Sequence, residues 1–146
     1  MLRKSIACLA LSLFVSCSSK APLTEDEKFM TACIEAAEAA GEMANLPENF
    51  RNLSGYKVAS TAMHADMFCG DTATIESTFG APLLMGEYKL AKGMERGTKC
   101  YEAGNRIMEP IEARMTAAYK ADGTAFCQWY KGVQEGKGKW MKYWTD

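Results

Sequence analysis

Six cysteines are spread along the 146-residue chain, and no two of them sit at metal-ligand spacing. Zinc and haem sites draw on close pairs such as Cys-x-x-Cys. Cys33, Cys69, Cys100 and Cys127 are instead separated by 36, 31 and 27 residues. An even set of distant cysteines in an oxidising compartment reads as two structural disulfides, and two long covalent loops restrict strongly how such a chain can fold. That reading requires the chain to be exported and Cys8 and Cys17 to be accounted for separately.

The first residues supply both conditions. Met1-Leu2-Arg3-Lys4 is a short basic stretch, and Ile6 to Val15 is an apolar run. The run is too short to span a hydrocarbon core of about 30 Å, so it is expected to be a removable export signal. It ends in Phe14-Val15-Ser16-Cys17. This tetrapeptide resembles the bacterial lipobox, in which an apolar residue, a small or branched one and Ala, Gly or Ser precede a cysteine. Phe14 stands where leucine is usual. The resemblance covers the leader alone and implies an export class, not a domain family. It implies cleavage before Cys17, diacylglycerol on the Cys17 thiol and acylation of the new amine. At about 0.8 kcal/mol per buried CH₂, such an anchor holds a chain stably in a membrane. Ser18 and Ser19 then imply the outer membrane, with the protein facing the periplasm. Residues 1–16 are thus the expected signal peptide, and residues 17–23 the lipidated cysteine and its tether.

Cleavage removes Cys8, Arg3 and Lys4, leaving 15 basic and 18 acidic side chains and a formal charge of −3 instead of −1. The balance excludes the basic footprint of a nucleic-acid binder. The 130 remaining residues suffice for one compact domain, and residues 24–146 are read as that domain.

Helical periodicity runs through it. Thr24-Glu25-Asp26-Glu27 forms a capping box, followed by Phe29, Cys33, Ala36, Ala37, Ala40 and Met43 on one face, with Pro47 as the stop. A second helix is predicted from about Gly55 to Cys69, with Val58, Ala62, Ala65 and Cys69 as its stripe and Gly70 as its end. Asp71 to Phe79 is expected to hold a short capped turn. Pro82 is placed to open a third helix through Leu90. Thr98 to Ala121 carries the cleanest periodicity, interrupted by Pro110, which is expected to kink or break it. A fifth helix starts near Thr124 and ends at Gly136-Lys137-Gly138. No run alternates in the manner of a strand. The predicted fold is all-α, a small disulfide-stapled bundle of four to five helices.

An antiparallel hairpin of the first two helices would bring Cys33 to Cys69, leaving Cys100 for Cys127. A straight helix from 100 to 121 would separate its ends by roughly 30 Å, whereas a bridge needs Cα atoms within about 7 Å. This pairing therefore requires the chain to fold back near Pro110.

Few residues suggest chemistry. His64 is the sole histidine, and a copper site of His64, Met63 and Met67 fails on geometry, since residue 64 points about 100 degrees away from 63 and 67 on a helix. The ten methionines are expected to fill the core. Glu109 and Glu112 share a helical face, as paired carboxylates must for glycosidic chemistry, yet such pairs are commonly a solvated face. There is no nucleophile elbow or phosphate loop. The expectation is a non-enzyme without metal or cofactor.

Charge and aromatic clustering point to binding instead. Seven acidic residues and one basic lie between Glu25 and Glu48, and Glu35, Glu38 and Glu42 are candidates for docking a basic partner. At the other end Trp140, Tyr143 and Trp144 interleave with Lys137, Lys139 and Lys142, a pattern suited to a partner contact or a membrane interface unless the rings pack back on the bundle. The chain is expected to bind the membrane through lipid on Cys17 and to bind another protein. Its profile is similar to that of immunity or inhibitor lipoproteins and of the helical pilotins that escort secretins, with a metal-binding or enzymatic envelope role as the lesser alternative.

Overall fold

In a computed structural model, residues 21–70 and 81–145 are described. The leader, Cys17 and the turn expected over Asp71–Phe79 lie outside the described residues. The described chain is helical throughout, with no strand among the described residues. The helices are α1 (Glu25–Ala39), α2 (Leu53–Cys69), α3 (Ala81–Leu90), α4 (Lys99–Ala121) and α5 (Gly123–Gln134). Short 3₁₀ turns occupy Glu48–Phe50 and Trp140–Tyr143.

Helix starts follow their local chemistry. Thr24 Oγ1 accepts from the Glu27 amide at 3.2 Å while Glu27 Oε2 accepts from the Thr24 amide at 2.9 Å, completing the expected capping box. Asn52, Thr98 and Asp122 cap α2, α4 and α5 in the same way through the amides of Gly55, Tyr101 and Ala125. Helix ends depend more on glycine. Gly70 adopts φ +62° after α2, as expected. Helix α1, however, stops well before Pro47, because Gly41 turns left-handed at φ +74° and the Gly41 and Glu42 amides close back on Glu38 and Ala37.

The core lies around α2, which touches every other helix. Met30, Ile34, Met43, Leu46, Tyr88, Ile111, Met115 and Phe126 are its most completely buried large side chains. Burying one such side chain stabilises by about 1.5–3 kcal/mol. The buried face of α1 is Met30, Cys33, Ile34 and Ala37, rotated from the expected stripe, so Phe29, Ala36 and Ala40 face outward. On α2 the buried face is broader than expected and takes in Tyr56, Ala59, Ser60 and Thr61, with Val58 at its margin.

Helix α4 departs most from expectation. It runs unbroken through Pro110. Ala103, Ile107, Met108, Ile111 and Met115 remain in helical phase across the proline and are all buried, while Pro110 and Arg106 are exposed. The amide that proline lacks is thus missing on the solvent side, and the core contacts on both sides keep the helix continuous.

A continuous α4 overturns the expected cysteine pairing. Cys100 lies in its first turn and Cys127 beyond its far end, roughly 30 Å away at 1.5 Å per residue. Cys100 instead bridges to Cys33 on α1, with Cα atoms 6.0 Å apart, and Cys69 at the end of α2 bridges to Cys127 on α5, at 5.6 Å. The two loops overlap in sequence. One staple therefore closes each end of the bundle.

Candidate functional site

The acidic residues of the α1 region divide into structural and free groups. Asp26 binds Arg106 of α4 through both its oxygens, with Nη2 at 2.8 Å, and this guanidinium lowers the Asp26 pKa. Glu27 meets Lys57 of α2 at 3.0 Å in a partly buried ion pair. Burial acts to raise the Glu27 pKa, but the Thr24 amide and the Lys57 ammonium outweigh it and leave the carboxyl below its ordinary value. Glu42 lies beyond α1, where its carboxylate accepts from the Lys92 amide at 2.7 Å and ties the α1–α2 connection to the end of α3. Only Glu35 and Glu38 of the three acidic candidates stay on the exposed surface of α1, and neither forms an ion pair among the described residues.

The aromatic tail packs back on the bundle. Arg114 of α4 donates to the Tyr143 carbonyl through Nε and to the Trp144 carbonyl through Nη2, both at 2.8 Å. The Trp144 indole donates to Thr61 Oγ1 at 3.1 Å, and Thr61 is fully buried. Lys57 stands 4.5 Å from the Trp144 ring centre, within cation–π range. Tyr143 meets the Trp129 ring edge-on at 4.7 Å, and Trp140 meets Tyr130 at 6.1 Å. Trp140, Tyr143 and Trp144 are therefore half-buried cement between α2, α4 and α5, while Lys137, Lys139, Lys142 and Met141 face solvent.

With the tail engaged, the outer face of α1 is one surface that remains open among the described residues. Phe29, Ala32, Ala36 and Ala40 follow one another at helical spacing and are all exposed, Phe29 at 43%. Glu25, Glu35 and Glu38 flank them. Helical periodicity places Phe29 on the same stripe as Cys33, whereas the structure turns it outward. Ala-rich helices carry too few large side chains for periodicity to fix the buried face, and Met30 and Ile34 were the residues that could have shown it.

The remaining chemical candidates do not converge. Met67 is 75% exposed, while His64 lies edge-on to the Phe68 ring and beside the Thr116 hydroxyl at 3.4 Å. No group of three or more His, Cys, Asp or Glu suited to a metal occurs among the described residues. Glu109 is exposed, whereas Glu112 is half-buried and adds to burial, the larger cause, in raising the pKa of the Tyr56 phenol. No helix of the described residues is long and apolar enough to cross a membrane.

The structure also gathers residues that the sequence kept apart. Methionines from α1, α2, α3 and α4 border one cavity together with Tyr56 and Ser60. Neither spacing nor periodicity signals this meeting. The methionine count was the only hint.

The bundle defined by these helices and staples is matched by no protein-family model, curated protein or solved structure.

Proposed function

We propose that the protein is a lipid-anchored module, facing the periplasm from the outer membrane, that binds another protein through the outer face of α1. One observation carries the reading: α1 presents an exposed Phe29 and a row of small alanines, flanked by Glu35 and Glu38, which have no ion-pair partner among the described residues. Small residues permit close approach of a second surface, an aromatic ring supplies contact area, and the carboxylates favour a basic partner. The capping box at Thr24 begins this helix only seven residues after Cys17, so a lipid on Cys17 holds the face close to the bilayer surface.

Two measurements test the proposal. Alkyne-palmitate fed to producing cells should label the wild-type chain, and Cys17→Ser should abolish the label; a wild type that takes up none refutes the anchor. A photo-crosslinking residue at Ala36 should capture one dominant envelope protein, and Glu35→Lys with Glu38→Lys should eliminate the product. The α1 reading is refuted if crosslinking at Ala36 gives no product, or if the charge reversals leave the product unchanged.

A further inference from the structure

Tyr56, Ser60 and Met63 follow one another along one face of α2, and that face borders a cavity of about 180 Å³. Met30, Met85, Met94 and Met108 complete a wall of five thioethers, contributed by α1, α3, the turn after α3 and α4. The mouth is marked by two exposed residues, Lys89 and Asn105. Deeper in, Ser60 and Tyr56 are only 5% and 7% exposed. Neither hydroxyl takes part in a hydrogen bond among the described residues, and neither oxygen is sealed from the cavity, so both are open to a partner that enters it. The Tyr88 hydroxyl beside them is spoken for, because it donates to the Phe50 carbonyl.

We propose that this cavity binds a single-ring aromatic molecule carrying a hydrogen-bond donor, such as a hydroxyl or ammonium group. The volume fits such a body: a cavity of about 150 Å³ accommodates benzene, leaving room here for one polar substituent. It is far larger than an ion needs, since thioethers that hold a soft cation close directly around it. Thioether sulfur packs favourably against ring edges, and unbranched methionines adjust to irregular outlines. The Tyr56 and Tyr88 rings, edge-on at 5.2 Å, add aromatic surface. At the polar end Ser60 and Tyr56 can accept a hydrogen bond, and the half-buried Glu112 carboxylate favours a donor over an anion. Burial, then Glu112 and Tyr101, push the Tyr56 phenol up to about 12, so its hydroxyl stays protonated at neutral pH. The cavity lies on the inner side of α1, away from Phe29, so this proposal and the α1 docking surface fail separately.

Methionine-methyl NMR of the intact, disulfide-bonded protein tests it, with phenol, benzylamine, benzoate and Ag(I) as probes. Phenol and benzylamine at millimolar concentrations should shift the Met30, Met85 and Met108 methyls saturably and leave Met67 and Met141 on the exterior unmoved. Benzoate should bind more weakly than benzylamine. Ser60→Ala, which removes one oxygen without adding bulk, should weaken phenol binding about two- to tenfold. The proposal is overturned if neither ring compound gives a saturable shift, or if Ag(I) moves these methyls while the rings do not. It is equally overturned if benzoate matches benzylamine or Ser60→Ala binds phenol as wild type does.

Discussion

Replacing cysteines singly and in pairs measures the stapling directly. The Cys33–Cys100 and Cys69–Cys127 bridges span 67 and 58 residues. In the chain-entropy model, loops of this length each restrict the unfolded chain by about 4 kcal/mol at 25 °C. Because the loops overlap, part of the restriction is shared, and about 4 kcal/mol is an upper figure for losing one bridge with the other intact. For a domain of this size that corresponds to a fall of roughly 15 °C in Tm. The informative quantity is the coupling. Once Cys69→Ser has broken its bridge, Cys127→Ser has no bridge left to break. The double variant should thus cost about as much as either single, with a coupling near the full bridge energy. Cys33→Ser combined with Cys69→Ser breaks both bridges and should cost clearly more than either alone. Urea unfolding monitored by circular dichroism gives the free energies, and m should rise as the unfolded chain expands. Peptide mapping without reduction gives the linkage. Strong coupling between Cys33 and Cys69, or a peptide joining them, would refute the continuous α4 as well as the pairing.

Other outcomes follow from single contacts. A Cβ on Gly55 would stand 2.4 Å from Phe50 Cα, so Gly55→Ala must move backbone and should cost about 1–3 kcal/mol in urea unfolding; a neutral substitution would refute that close approach. Pro110→Ala restores an amide to an exposed stretch of continuous helix and should stabilise by about 1–3 kcal/mol, read as a raised Tm, whereas a loss would show that the proline itself holds α4 in place. Burial raises the Tyr56 phenol to about 12, and burial also raises Tyr88 and Tyr130, the latter with help from Asp66. Raised pKa values favour the protonated folded form, so their contribution to stability is complete below pH of about 10, the unfolded value, and shrinks as pH climbs above it, the Tyr56 share being lost first, toward about 12. Urea midpoints should fall across that interval, with phenolate absorbance appearing only as the chain unfolds; early ionisation of all tyrosines in folded protein would contradict the burial.

What could be read directly from the residues was local. The Thr24–Glu27 capping box, the Gly70 stop and the helical phase of Ile107, Ile111 and Met115 depend on neighbours within a turn or two, and these were legible, as was an all-α bundle with two staples. The acidic patch and the aromatic tail were visible as compositions, but their roles were not. Which carboxylates of α1 and the turn after it become structural depends on Lys57, Arg106 and the Lys92 amide, all distant in the chain. The tail is claimed by Arg114 and Thr61 for the same reason.

The sequence alone therefore determined where helices begin, that few strand-forming patterns compete with them, and that the four distant cysteines serve as staples. Tertiary structure decided the rest. Pro110 weakens a helix locally, yet a row of buried side chains in phase on both sides keeps it continuous, and that one result reassigned both disulfides. Helical periodicity says that a face is buried without saying against what. Only packing could turn Phe29 outward and bring five methionines and two buried hydroxyls around one cavity.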